Sequence, residues 1–292
     1  MRILITGGSG FIGRALCEHL GGQNHDFATL GRGLDSDFQW NFAEGIFDSE
    51  ALENIGAVIH LAGENVGKSR WTAAKKKRIL DSREKGTRLL CEAMANAEVP
   101  PKVLLSASAV GFYGSQGDVV LDETSPAGSD FLATVCQRWE AACQPAIDAG
   151  IRVVQLRFGV VLSPEGGALR EMRLPFSLGL GGRIGSGAQW MSWIALPDVI
   201  RVIEHALNDK NFSGPMNVAA GAVSNADFTQ ELGGALRRPT WFPLPEFVAR
   251  LVFGEKADAM LLASTRAEPK KLRASGFEFQ HADLPKALAA ML

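Results

Sequence analysis

The chain has 292 residues, 46% of them hydrophobic and 21% charged, and a formal net charge of −2. That balance excludes a disordered polypeptide and any general attraction to nucleic acid or an anionic membrane, and the length supports a large core, read as two lobes of one compact unit. The four cysteines, at 17, 91, 136 and 143, form no Cys-x-x-Cys pair, so free thiols in a reducing compartment fit better than disulfides or a zinc cluster. The first residues lack a signal-peptide pattern and no apolar run is long enough to span a bilayer, so the expectation is a cytoplasmic protein.

The first element carries most of the information. Arg2 to Thr6 reads as a short β-branched strand that flows into glycines at 7, 10 and 13 and then into an amphipathic helix over 11–20. Gly7 permits the tight turn, Gly10 lets a pyrophosphate approach the backbone, and Gly13 lets the helix press on the strand. Phe11 and Ile12 open that helix and count with the glycines as cofactor-contacting positions.

Alternation continues with strands at 26–31 and 57–61, a helix at 71–96, a strand at 102–106, a helix at 130–149 and a strand at 151–157. Strands separated by helices imply parallel pairing with right-handed crossovers, hence an α/β fold with a doubly wound Rossmann-type sheet. A dinucleotide binds at the carboxyl ends of such strands, where Gly7, Gly31, Ala62, Ser106 and Phe158 fall, with Val160 just beyond. The basic run Lys75 to Arg78 lies inside the 71–96 helix and reads as a solvated face. After Arg157 come Gly/Pro-rich connections near 163–167 and 179–188, a helical stretch at 198–207, a strand at 216–219 and a helical last third with prolines at 239, 243, 245, 269 and 285.

The spacing Gly-x-x-Gly-x-x-Gly, Leu61-Ala62-Gly63, Gly86-Thr87 and the strand ending Ser106-Ala107-Ser108 resemble the extended and atypical short-chain dehydrogenase/reductases. With Glu64-Asn65, Arg70-Trp71, Asp81-Ser82-Arg83, Ala109-Val110-Gly111, Trp139-Glu140 and Gly185-Ser186-Gly187, the chain looks like the epimerase-family proteins of the SDR39U1 or YfcH type. The likeness runs on through Leu244-Pro245 and Gly276-Phe277. It implies an NADP-binding Rossmann domain over 1–162 and 196–235, and a smaller substrate lobe over 163–195 and 236–292. It also implies that Arg83 reaches the cofactor; the competing account is an exposed ion pair with Asp81 or Glu84.

Leu61, Ala62 and Gly63 are expected to present backbone to the nucleotide, where small residues avoid collision. The second strand ends at Gly31-Arg32, where NAD-selective folds commonly carry Asp or Glu. A guanidinium there suits the 2′-phosphate of NADP, against the alternative of an exposed loop arginine with Asp35 and Asp37 nearby.

Hydride-transfer members of the superfamily use Tyr-x-x-x-Lys. Taking Glu140 as the acidic residue that follows that pair puts Leu132 and Cys136 in its place, so the usual proton relay is absent. Ser108 survives as a hydroxyl that can polarise a substrate carbonyl, with Ser106 nearer the nicotinamide. Tyr113, the single tyrosine, is either the replacement acid or a packing element. Cys136 reads as a small buried hydrophobe rather than a nucleophile. Arg70-Trp71, Arg183 and Gln189 to Trp193 suit a planar or anionic small molecule, unless Trp190 and Trp193 only close a seam. His60, His205 and His281 have no ligand spacing, so no metal is expected. Two functions stand beside each other: an NADP(H)-dependent oxidoreductase or, as the resemblance implies, a nucleotide-sugar-type epimerase, and a non-catalytic NADP(H)-binding sensor or scaffold.

Overall fold

The computed structural model describes every residue except Asn24 and Leu34. The chain divides into two compact units, the first made of Met1–Ser108, Val135–Leu156 and Ile200–Met216, the second of Ala109–Thr134, Arg157–Val199 and Asn217–Leu292. In chain order the strands are β1 (Arg2–Thr6), β2 (Phe27–Gly31), β3 (Phe38–Asn41), β4 (Ile46–Phe47), β5 (Ile55–His60), β6 (Val103–Ala109), β7 (Val120–Leu121), β8 (Arg152–Phe158), β9 (Val160–Leu162), β10 (Trp190–Ala195), β11 (Gly214–Val218), β12 (Gly221–Ser224) and β13 (Arg266–Ala267). The helices are α1 (Phe11–Gly22), α2 (Ala73–Ala95), α3 (Phe131–Ala141), α4 (Gln144–Asp148), α5 (Gly167–Ser177), α6 (Leu196–Asn208), α7 (Asn225–Leu236), α8 (Glu246–Phe253), α9 (Lys270–Ala274) and α10 (Leu284–Met291).

The large sheet has the order β11-β8-β6-β5-β1-β2-β3-β4. β1 pairs in parallel with β2 and β5, β2 with β3, and β5 with β6, while β4 runs antiparallel to β3. Parallel pairing follows from the residues: Ile3, Leu4 and Ile5 of β1 and Ala57, Val58 and Ile59 of β5 are all buried, as strands covered on both faces must be. From β1 the chain steps outward to β2, β3 and β4, then returns to β5 on the other side. The order therefore reverses at β1, and a doubly wound sheet opens its ligand crevice at that switch point.

The expected helix over 130–149 is two helices, α3 and α4. Pro145 stands in the first turn of α4, where its missing N–H costs nothing, whereas inside a continuous helix it would remove a hydrogen bond. β3 and β4 are not expected from the sequence. Phe-Gln-Trp-Asn alternates apolar and polar residues over only four positions, too short a run to stand out.

In the second unit β10 lies between β12, antiparallel, and β9, parallel, with Trp193 opposite both Gly221 and Val160. β7 pairs with β13. A core of Leu162, Leu169, Phe176, Trp193, Phe228 and Leu232 receives Leu284, Ala287 and Leu288, which form one stripe of α10. This division differs from the boundaries expected at 162, 196 and 235. Segment 217–235 joins the second unit with β12, and 109–134 joins it with β7. Both assignments come from pairings between distant parts of the chain. Among the described residues no helix is long and apolar enough to cross a membrane.

Candidate functional site

The loop after β1 is shaped by steric necessity. Gly7 has φ +74°, and a Cβ there would lie 2.8 Å from Ala62 N and Leu61 C, so the loop presses on the strap that leaves β5. A Cβ on Gly13 would lie 2.1 Å from Gly7 O, which is why α1 can seat against the loop only with glycine at that position. Gly10 differs. Its N–H donates to Gly7 O at 2.9 Å, and a Cβ would meet nothing but that same oxygen, at 3.0 Å. Gly10 also caps α1 with no side-chain acceptor, leaving the first amides of a twelve-residue helix for an acceptor from outside.

Around this loop the first unit holds a cavity of about 550 Å³. Gly7, Gly8, Ser9 and Gly10 line it from one strand end, Gly31 and Arg32 from the next, and Leu61, Ala62 and Gly63 from the strap. Trp40, Asp35, Glu64, Arg78 and Asp81 are among the other residues of the wall. At Gly31 a Cβ would fall 2.1 Å from Ser36 Oγ, so a larger residue there would have to displace the Ser36 side chain. Asp37 accepts both the N–H and the hydroxyl of Thr29, each at 2.8 Å. The Thr29 amide is the main reason that its carboxyl stays below the usual carboxylate range. Among the described residues Arg32 itself is exposed and makes no hydrogen bond or salt bridge.

The strap is tied down by buried polar groups. Ala62 N donates to Thr6 Oγ1 at 3.2 Å, and Thr6 Oγ1 lies 2.6 Å from His60 Nδ1, while His60 Nε2 lies 2.9 Å from Thr87 Oγ1. A neutral imidazole serves both hydroxyls, one nitrogen donating and the other accepting. Desolvation, with Arg83 adding to it, holds the His60 pKa at about 3.

Glu64 N donates to Ser82 Oγ at 3.0 Å, and the Glu64 carboxylate lies 2.6 Å from buried Lys75. Arg83 donates from Nη1 to Glu64 O at 2.9 Å and to Ile79 O at 3.3 Å. Its guanidinium carbon is 3.2 Å from where a Gly63 Cβ would sit and 4.8 Å from the centroid of the Trp139 ring. The ion-pair account of Arg83 is not what the structure contains: Asp81 pairs with Lys77 and Lys85, and Glu84 with Arg138.

On β6, Ser106 and Ser108 share a face because side chains alternate along a strand. Ser108, 2% exposed, donates to Glu140 Oε1 at 2.7 Å, and the Ser106 hydroxyl donates to Ala107 O at 3.4 Å. Cys136 is buried on α3. Tyr113 is 0% exposed; its hydroxyl donates to Asn217 Oδ1 at 2.7 Å and accepts from Arg157 at 3.0 Å. Burial pushes the phenol pKa up. Of the two readings of Tyr113, its surroundings match the packing one.

Phe158 and Val160 belong to the second unit, where Val160 packs against the Trp193 cluster. Trp193 is itself core, and Trp190 donates to Asp118 at 2.9 Å beneath the Arg266 guanidinium. Arg183 lines a cavity of about 440 Å³ with Gln230 and Trp241, whereas Trp71 of the first unit donates to Val66 O. Sequence reasoning missed Ser9, Trp40, Glu64 and Arg78 on the cavity wall and His60 behind it. It used Glu140 only as a landmark. Among the described residues no group of three or more His, Cys, Asp or Glu side chains could hold a metal.

The sequence profile of the NAD dependent epimerase/dehydratase family matches residues 3–219, and a profile named "Domain of unknown function (DUF1731)" matches 244–291. Epimerase family protein Mb2239 of Mycobacterium bovis is 45% identical over 98% of this chain and 96% of its own. Epimerase family protein SDR39U1 of Bos taurus is 38% identical over 100% of both. The crystal structure of human epimerase family protein SDR39U1 (isoform2) with NADPH superposes with a TM-score of 0.92 at 35% identity, covering 100% of this chain and 99% of that one. The chain therefore belongs to the NAD dependent epimerase/dehydratase family, with the epimerase family proteins of the SDR39U1 type.

Proposed function

We propose that this protein binds NADP(H) in the cavity at the end of β1 and acts on a small molecule as an oxidoreductase or nucleotide-sugar-type epimerase. The observation that carries the reading is Gly10, where a Cβ would meet only Gly7 O, at 3.0 Å, against contacts of 2.8 Å or less at Gly7 and Gly13, beneath uncapped α1 amides. The match to a relative crystallised with NADPH supports it. Gly7, Gly10, Gly31, Ala62 and Gly63 form the cradle, and Arg32 meets the 2′-phosphate. When bound, NADP(H) supplies hydride transfer. Ser108 orients a substrate oxygen, and Glu140 takes the proton that Ser108 passes on, the role left vacant by Leu132 and Cys136. Tyr113 is a packing residue here. Free thiols at positions 17, 91, 136 and 143 fit a cytoplasmic setting.

Calorimetric titration tests the cofactor half. NADPH binds more tightly than NADH, and Arg32→Ala weakens NADPH by about 10- to 150-fold while leaving NADH nearly unchanged. Equal losses for both cofactors would sink the assignment. A substrate panel tests the chemistry: Ser108→Ala and Glu140→Gln each slow turnover by about 10²-fold or more without changing the NADPH affinity.

A second reading, a non-catalytic NADP(H) sensor or scaffold, draws on the buried, fully bonded Tyr113. It is selected if no substrate turns over and a partner's affinity follows NADPH occupancy.

A further inference from the structure

Arg32 shares the cavity wall with a second guanidinium. On α2, Lys75, Arg78 and Ser82 recur at spacings of three and four residues, which places them on one face of the helix. That face meets the strap. Lys75 Nζ lies 2.6 Å from Glu64 Oε1, Ser82 Oγ accepts the Glu64 N–H at 3.0 Å, and Arg78 Nε lies 3.7 Å from the same Glu64 oxygen.

The charges on this wall do not balance. Cations Arg32 and Arg78 and anions Asp35, Glu64 and Asp81 line the cavity. Glu64 is held by buried Lys75, and Asp81 by Lys77 and Lys85, so two guanidiniums stand against Asp35. Arg78 is 61% exposed, and its 3.7 Å approach to Glu64 is beyond hydrogen-bonding distance, so the side chain can turn toward a better partner. A guanidinium prefers an oxyanion that accepts two parallel N–H bonds, and a phosphomonoester has three oxygens, enough for two such forks.

We infer that Arg78 is the second arm of a 2′-phosphate clamp, gripping with Arg32 the adenosine 2′-phosphate of an NADP-type nucleotide; the inference rests on the reading that this cavity takes NADP(H). The helix places Arg78 and the buried Lys75–Glu64 pair sets the level of the strap beside it. Discrimination between NADP and NAD is then shared by a loop residue and a helix residue.

The test is titration calorimetry on the full chain, with adenosine 2′,5′-bisphosphate against adenosine 5′-monophosphate, then NADP⁺ against NAD⁺, for the parent, Arg78→Gln, Arg78→Lys and Arg32→Gln. Arg78→Gln weakens NADP⁺ and the bisphosphate about 5- to 20-fold and leaves NAD⁺ and the monophosphate within about twofold. Arg78→Lys recovers part of the loss, and added salt narrows the gap between parent and Arg78→Gln. The thermal midpoint without ligand stays at the parent value, because the side chain is exposed. If Arg78→Gln binds NADP⁺ like the parent while Arg32→Gln does not, Arg78 is only a surface partner of Glu64 and the inference falls. Equal losses for NADP⁺ and NAD⁺ overturn it as well. If the parent binds neither dinucleotide, the cofactor reading beneath it falls too.

Discussion

The cavity of the first unit and the polar core around Tyr113 in the second are both built from arginine, hydroxyl and carboxylate groups near glycine-rich turns, yet they use them in opposite ways. Around Tyr113, donors and acceptors satisfy one another. Arg157 donates to Tyr113, Tyr113 to Asn217, and the Asn217 and Lys271 amides to Glu123, with the Arg157 guanidinium 3.5 Å from the Phe112 ring centroid. Around the glycine loop, the bonded groups hold a frame while Arg32 and the α1 amides are turned outward. Chemistry that matters to a ligand is marked by unmet bonding capacity, not by the presence of polar residues.

The sharpest way to break that comparison is Arg157→Met. If the Tyr113 region is purely structural, removing its buried cation costs about 3–5 kcal/mol of stability, read by chemical denaturation, and leaves the NADPH affinity of the folded protein intact. A folded variant that has lost cofactor binding would show that the two regions are not separate in role.

His60 gives the next largest effect. Its folded pKa of about 3 lies below the value near 6.5 of an unfolded histidine, so between those pH values only the unfolded chain takes up the proton. Stability is unaffected above pH 6.5 and declines as pH falls below it, by about 2 kcal/mol at pH 5. Denaturation curves at pH 7 and pH 5 measure this decline. His60→Gln lowers overall stability and flattens the dependence; an unchanged slope would mean that other groups set it.

Tyr113→Phe is the smallest of the three. It strips Asn217 Oδ1 and Arg157 of one partner each, for a loss of about 1–2 kcal/mol, with the turnover rate unaltered. If turnover instead slows by about 10²-fold or more, Tyr113 returns to the chemistry.

These regions also differ in how readable they are. The Gly7, Gly10 and Gly13 loop is legible because its constraints act within a few residues, and β1 because its burial shows as a continuous apolar run. The His60 network is not, since Thr6 and Thr87 lie 54 and 27 residues away in sequence. Ser108 and Glu140 each stand out alone, but a strand and a helix 32 positions apart have to be placed before they become a pair. Tyr113 misleads for the same reason, its partner Asn217 being 104 residues distant. The extent of the second unit turns on β12 finding β10, a pairing that local periodicity does not encode.

The strap from Leu61 to Glu64 is bonded through three of its amides, Leu61 to Thr6 O, Ala62 to Thr6 Oγ1 and Glu64 to Ser82 Oγ, with Arg83 holding the Glu64 carbonyl. Its order is therefore settled when the protein folds. A nucleotide that settles against it has little backbone entropy left to remove, so binding energy goes to contacts rather than to organising the chain. In hydrogen–deuterium exchange these amides are slow before any ligand is added and change little afterwards, whereas the uncapped amides at the start of α1 acquire their protection only on binding.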